Sequence, residues 1–237
     1  MAHRRAVILA GGKGTRLMPY TTVLPKPLMP IGDYPILEVI IRQLKFYNFD
    51  HITLAVNHQA EIIKAFFGDG SKWGIKIDYS FETVPLSTAA PLCLVPDLPD
   101  NFLFMNGDIL SDIDYFEFLE NHIKSSRALT ISAYMRKEIT DYGVLDINDD
   151  SILTNFREKP TTQYLVSMGI YAVNRSIINF IPKNTRFGLD DLMYELLNKK
   201  QTVHVEPYNG YWMDIGRSDD YLAAIEDFDK IKSRLNI

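Results

Sequence analysis

The run Ala6-Val7-Ile8-Leu9-Ala10-Gly11-Gly12-Lys13-Gly14-Thr15-Arg16-Leu17 constrains this chain more than any other stretch, because an apolar segment breaks abruptly into a basic, glycine-rich loop. Val7, Ile8 and Leu9 are apolar without alternation, which suits a central strand of a parallel sheet covered on both faces. The loop then opens at that strand's carboxyl end. Gly11, Gly12 and Gly14 let the backbone turn through positive φ and bring N–H groups close to a ligand. Lys13 and Arg16 add positive charge, and both a guanidinium and backbone N–H groups donate to non-bridging phosphate oxygens. The loop therefore points to a phosphate-rich ligand. Two familiar phosphate signatures do not fit. Lys13 is followed by Gly14 where the P-loop pattern needs Ser or Thr, and prolines at 19, 25, 27 and 30 deny the immediate helix of the Rossmann fingerprint.

Downstream, Leu24-Pro25-Lys26-Pro27-Leu28 holds a lysine between two prolines. Each proline biases the residue before it toward extended backbone, so Lys26 is expected on a stiff, extended segment. Apolar residues at 36, 37, 40, 41 and 44 keep the helical period, with Pro35 suited to the first turn. Residues 52–56 read as a buried strand and 59–67 as a helix closed by Gly68. This alternation predicts an α/β fold, Rossmann-like and doubly wound around a mostly parallel mixed sheet. Residues 75–79 form an alternating strand, 88–95 a short helix, and 102–105 a buried strand ending at Asn106-Gly107-Asp108. After a helix over 115–124, the segments 128–135, 143–147, 151–156 and 164–173 read as strands, so antiparallel additions are expected in the C-terminal half. Residues 146–151 make a hairpin turn whose acidic run is solvated. A helix over 189–198 and a strand over 203–205 follow. The last helix is expected to be capped by Ser218, with Asp219 and Asp220 in its first turn.

With 237 residues, 46% of them hydrophobic, the chain can bury the core of one large domain spanning 1–237. A net charge of −5 leaves no basic stripe for nucleic acid or an anionic membrane. The single cysteine, Cys93, excludes an internal disulfide framework. No apolar run approaches the ~20 residues of a membrane span. The start, Met1 to Arg5, has no leader-like apolar segment, and a cytoplasmic address is expected.

Taken together, these segments resemble the sugar-1-phosphate nucleotidylyltransferases, among them the mannose-1-phosphate guanylyltransferases. The family hallmark is a strand, then GG-x-G-T-R-L, then P-K-P-hydrophobic, and both parts stand here at Gly11–Leu17 and Pro25–Leu28. The likeness continues through Asn106-Gly107-Asp108, Tyr142-Gly143-Val144, Glu158-Lys159-Pro160, Gly169-Ile170-Tyr171 and Trp212-Met213-Asp214-Ile215-Gly216. It implies a nucleotide-binding part over about 1–112 and a sugar-phosphate-binding part over about 113–237. The substrates it implies are a nucleoside triphosphate and a sugar 1-phosphate, with a homo-oligomer left open.

The resemblance also assigns roles. Asp108 and Asp214 would hold Mg2+, a cation that favours hard oxygen ligands with room for phosphates and waters. Arg16 would donate to the triphosphate and leaving group, Lys26 would steady the α-phosphate, and Asp108 completes the catalytic set. Lys159 would hold the phosphate of the sugar substrate and Glu158 its hydroxyls. Gly11, Gly12, Gly14, Thr15, Ser87, Thr88, Gly107, Gly143 and Gly169 would line the substrates. Glu82 would face the base. An ionised carboxylate only accepts hydrogen bonds, so GTP ranks first, UTP or dTTP second and CTP last. The chain departs from the family at Leu86-Ser87-Thr88-Ala89-Ala90, where many members carry L-G-T-A-G or L-G-T-G-G, and at Met168, which is bulky for a place beside the sugar. The alternatives are a UTP- or dTTP-dependent member, a catalytically silent sugar-nucleotide sensor, and a nucleotidyltransferase for a phosphorylated alcohol.

Overall fold

The computed structural model describes residues 3–237; Met1 and Ala2, part of the start for which no leader is expected, lie outside the described residues. In chain order the elements begin with β1 (Arg5–Leu9), β2 (Pro30–Ile31), β3 (Tyr34–Pro35), α1 (Ile36–Phe46), β4 (His51–Val56), α2 (Ala60–Phe67) and β5 (Lys76–Phe81). Then come β6 (Asn101–Asn106), β7 (Ile109–Ser111), α3 (Tyr115–Lys124), β8 (Leu129–Ile139), β9 (Val144–Ile147) and β10 (Leu153–Arg157). The chain continues with β11 (Thr161–Asn174), α4 (Leu189–Asn198), β12 (Val203–Tyr208), β13 (Trp212–Asp214) and α5 (Ser218–Ile231).

Seven strands form one sheet in the order β12-β8-β11-β6-β1-β4-β5. β1 lies between β4 and β6, parallel to both, and β5 extends the parallel half. β11 is antiparallel to β6 and β8 to β11, and β12 closes that side parallel to β8. The mixed sheet is thus parallel in the first half of the chain and gains antiparallel strands in the second. Successive β1 side chains serve opposite faces, which explains the unbroken apolar run. Ala6 and Ile8 meet Leu37, Ile40 and Leu44 of α1, while Val7 packs with Phe104, Leu192 and Leu196 on the other face. A third cluster joins Phe228 and Ile231 of α5 to Leu17, Ile31, Leu110 and Ile215. Each fully buried aliphatic side chain there contributes about 1.5–3 kcal/mol, so α5 is held firmly beside the end of the glycine-rich loop.

Four local expectations are refined or corrected. The short helix expected over 88–95 narrows to a 3-10 helix over Ala90–Leu94, the Ala89 and Ala90 N–H groups ahead of it both donating to Phe187 O at 3.0 Å. Lys26 is not extended but opens a 3-10 turn, closed by Leu28 N–H to Pro25 O at 2.8 Å. Arg217, not Ser218, caps α5, its N–H donating to Asp220 Oδ2 at 2.9 Å. The hairpin turn closes at Asn148–Ile152, and Asp146 belongs to β9 instead.

Three two-stranded sheets finish the architecture, one of them the short β2–β3 pair. β13 pairs antiparallel with β7, placing Asp214 opposite Ile109. On the other side, β8 and β11 run past the sheet as a two-stranded ribbon, Met135–Ile139 with Thr161–Leu165, and the β9–β10 hairpin hangs from its end.

Candidate functional site

The carboxyl ends of β1, β4 and β6 open on one edge of the sheet, where ligands bind in open α/β folds. A cleft of about 490 Å3 lies there, lined on one side by Gly11, Gly12, Lys13, Arg16 and Lys26. Asn57, His58 and Glu82 form its far wall, Ser87 and Thr88 its rim, and Asn106, Gly107 and Asp108 its floor. Most of the nucleotide-side residues read from the sequence therefore share one cavity. Asn57 and His58 were not anticipated. Their place directly after a buried strand, at the same edge as the glycine-rich loop, was the available signal.

The glycines act differently from the expectation. Only Gly14 uses positive φ, at +62°, and it shapes the turn over Thr21 without lining the cleft. Gly11 is required by close approach, since a Cβ there would lie 2.8 Å from Asn57 N. Gly12 faces open space, and Thr15 is exposed outside the cleft. The Gly107 N–H donates to Leu9 O at 2.9 Å and so ties the floor to β1.

A charged cluster forms at the cleft's edge, with Arg16, Lys26 and Asp108 in the lining and Asp214 just outside it. Lys26 Nζ, mostly buried, pairs with Asp108 Oδ2, while Asp108 Oδ1 is buried without a hydrogen-bond partner. The β7–β13 ladder brings Asp214 alongside, with Ile215 N–H donating to Asp108 O at 3.0 Å. Burial, and then the charge of Asp108, push the Asp214 carboxyl up, with Lys26 and Arg16 opposing. A Cβ on Gly216 would come 3.4 Å from Asp214 Oδ2 and 3.6 Å from Arg16 Nη1, so the guanidinium and this carboxylate share the same glycine. Asp112 braces the approach to β13. Its carboxylate accepts from Tyr208 OH, from Tyr211 N–H at 2.5 Å and from Arg234 Nε at 2.8 Å.

Two carboxylates with one orphaned oxygen, beside two cations, fit a divalent metal that takes its other ligands from phosphates and water. Among the described residues no group of three or more His, Cys, Asp or Glu side chains gathers as a closed metal cage.

Glu82 is half-buried in the cleft wall. Its Oε2 accepts from Leu86 N–H at 2.9 Å, and burial raises its pKa although the Leu86 and Asn57 donors act against that. Ser87, where many family members carry glycine, sits at φ +72°, a conformation that costs a residue with Cβ roughly 1–2 kcal/mol. The strand of contacts to Phe187–Leu189, including Thr88 Oγ1 accepting from Leu189 N–H at 2.9 Å, holds it there. Ser87→Gly is expected to raise Tm by about 2–4 °C, read by thermal denaturation, by relieving about 1 kcal/mol of strain. An unchanged or lowered Tm would show that the site carries no such cost.

The sugar-side residues are not in this cavity lining. Gly143 and Glu158 adjoin each other on the β9–β10 hairpin, where a Cβ on Gly143 would meet Phe156 at 2.6 Å and Glu158 Oε2 at 3.3 Å. Lys159 follows at φ +42°, exposed. Gly169, at φ +73°, lies over Asn106 and so borders the cleft floor. Met168 does not crowd that border. Its side chain is buried, with Ser132 Oγ donating to Sδ at 2.8 Å, and its carbonyl accepts from Trp212 Nε1 at 3.0 Å.

Comparison with known proteins identifies the family. The nucleotidyl transferase family model matches residues 5–231. The chain is 32% identical to a UTP–glucose-1-phosphate uridylyltransferase of Synechocystis, over 93% of this chain and 62% of that protein. It is 33% identical to a D-glycero-alpha-D-manno-heptose 1-phosphate guanylyltransferase of Campylobacter jejuni, over 92% of this chain and 96% of that one. The crystal structure of HddC from Yersinia pseudotuberculosis complexed with GMP-PN superposes with a TM-score of 0.72 at 28% identity, covering 95% of this chain and 99% of that chain. The chain spans less than two thirds of the length of several of the relatives it matches, 62% for the Synechocystis protein and 61% for a Drosophila pseudoobscura mannose-1-phosphate guanylyltransferase subunit. No helix among the described residues is long and apolar enough to cross a membrane. By its matched family model, its relatives and its fold, the chain belongs to the sugar-1-phosphate nucleotidyltransferases of the nucleotidyl transferase family.

Proposed function

We propose that this chain transfers a nucleotidyl group from GTP to a sugar 1-phosphate, giving an NDP-sugar and pyrophosphate for polysaccharide or glycoconjugate synthesis. A phosphate oxygen of the sugar substrate, already ionised near neutral pH, attacks the α-phosphorus while the bond to pyrophosphate breaks in line. No proton transfer and no covalent enzyme intermediate are needed. The task is to bring two polyanions together and stabilise charge on the reacting phosphorus and leaving group.

The chain's own residues divide that task. The glycine-rich loop and Arg16 hold the triphosphate, and Arg16 stabilises the departing pyrophosphate. Lys26 neutralises the α-phosphate region. Asp108 and Asp214 would hold Mg2+, which supplies Lewis-acid polarisation of the phosphoryl oxygens when bound. Residues of about 1–112 take the nucleotide and those of about 113–237, including Glu158 and Lys159, take the sugar phosphate. The single free cysteine, Cys93, suits work in the cytoplasm.

The observation that carries the choice of GTP is the half-buried Glu82 carboxylate in the cleft wall, whose two protein donors do not offset its burial. A base edge offering N–H groups completes it. Guanine offers two side by side, uracil or thymine one, and cytosine a lone pair in the equivalent place. An unpaired buried acceptor facing an acceptor costs enough to reject a substrate. The expected order of kcat/KM, measured with the four triphosphates and one accepted sugar phosphate, is GTP, then UTP or dTTP, then CTP. Glu82→Gln should narrow it. If CTP is best, or if Glu82→Gln leaves the order untouched, Glu82 is not the reader. A UTP-dependent enzyme is the second reading, favoured by the likeness to the Synechocystis uridylyltransferase; UTP in first place would support it.

A further inference from the structure

Asp112 lies outside the cleft lining, its side chain only 12% exposed, and gathers the two stretches of chain that flank Asp214. From before β13 it accepts from Tyr208 OH and, at 2.5 Å, from Tyr211 N–H, while its own N–H donates to Tyr211 O at 3.2 Å. Burial, and then the bond to Asp112, push the Tyr208 phenol up, so it keeps its proton and donates. From beyond α5, Arg234 Nε donates to the other carboxylate oxygen at 2.8 Å. Leu235, fully buried, and Asn236, whose Nδ2 donates to Tyr47 OH at 3.1 Å, hold that segment in place.

The ladder that seats Asp214 is short. β13 meets β7 at only three positions, Trp212 with Ser111, Met213 with Leu110 and Asp214 with Ile109. A slip of one residue in such a pairing would turn the Asp214 side chain to the opposite face. At one end the register is held by Ile215 N–H on Asp108 O. At the other end stand the bonds between Asp112 and Tyr211, the residue immediately before β13. A Cβ on Gly210 would lie 2.5 Å from Asp112 Oδ1, so the turn before β13 closes directly on this carboxylate. We propose that Asp112 is a positioning residue for the metal pair, pinning the register of β13 and so holding the Asp214 carboxylate beside Asp108. The inference rests on the assignment of Asp108 and Asp214 to a divalent cation. Groups that orient a metal ligand typically change metal affinity or activity by roughly 10–100-fold when they are removed.

Mn2+ binding to the free protein, followed by water-proton relaxation with thermal melts alongside, tests the proposal. Asp112→Asn keeps the volume and an acceptor for Tyr211 N–H but loses the charge that holds Arg234. It is expected to weaken Mn2+ binding by about 10-fold or more. At a fixed, subsaturating metal concentration kcat should fall with little change in KM for the triphosphate, and the loss should shrink as metal is raised. Tyr208→Phe and Arg234→Met each remove one tie to Asp112 and should weaken Mn2+ binding by a smaller factor; they carry the test if Asp112→Asn does not fold. Asp214→Asn sets the reference and should lose the binding. Variants of Asp112, Tyr208 and Arg234 that melt earlier yet bind Mn2+ as the wild type does would make Asp112 merely structural, which overturns the proposal and leaves the metal assignment standing. Unchanged Mn2+ binding in Asp214→Asn overturns that assignment, and the proposal with it.

Discussion

Asp108→Asn and Asp214→Asn are each expected to lower turnover by more than about 100-fold while leaving the fold intact, a loss of the size seen when a charge-stabilising group is removed. The basis is the cluster at the cleft's edge, where a carboxylate with a buried, unpartnered oxygen lies beside a second carboxylate whose pKa its charge helps raise. Asparagine keeps the volume and one acceptor but loses the charge that balances a divalent cation. The fold should survive, because the link between the two segments is made by backbone, Ile215 N–H to Asp108 O, and by the β7–β13 ladder. Turnover measured across a Mg2+ titration, with thermal melts alongside, checks this. Near-normal activity in either variant, with the metal still required, removes that residue from the centre.

Arg16→Lys is the second large effect. A guanidinium presents a planar fork that bridges two phosphate oxygens, whereas an ammonium acts as a point charge, so the substitution is not conservative here. Arg16 lines the cleft, and its guanidinium lies beside the same glycine, Gly216, as the Asp214 carboxylate. That places a positive fork beside the Asp214 carboxylate at the end of the glycine-rich loop. The expected result is a fall in kcat of about 100-fold with a smaller change in KM, since the interaction strengthens as pyrophosphate leaves. Equal rise in KM with unchanged kcat would assign Arg16 to uniform substrate binding, and no change at all would make it a surface charge.

The sequence was most legible where side-chain periodicity and local backbone chemistry agree. The unbroken Val7-Ile8-Leu9 run demanded cover on both faces, and β1 has it. The helical spacing of Ile36 to Leu44 and the Gly68 stop were equally local signals. Placing Asp108 at the carboxyl edge followed from the strand before it. What could not be read depends on contacts distant in sequence. Three-residue strands such as β7 and β13 are too short to show a period, so the ladder that seats Asp214 was invisible. Ser87 at φ +72° is imposed by Phe187–Leu189, a hundred positions on by chain and adjacent in space. Leu145 and Ile147 alternate as a half-buried strand should, yet that face points outward, because alternation says that a face is apolar and not what covers it.

The β7–β13 ladder has a consequence in time. A ribosome delivers the glycine-rich loop, Arg16, Lys26 and Asp108 before it delivers Asp214. Asp214 arrives about a hundred residues after Asp108, on the strand that must then slot in beside β7. A nascent chain that has made the glycine-rich loop and Asp108 therefore lacks the second carboxylate until β13 has emerged. Assembly order thus delays the meeting of the two carboxylates until β13 is in place beside β7.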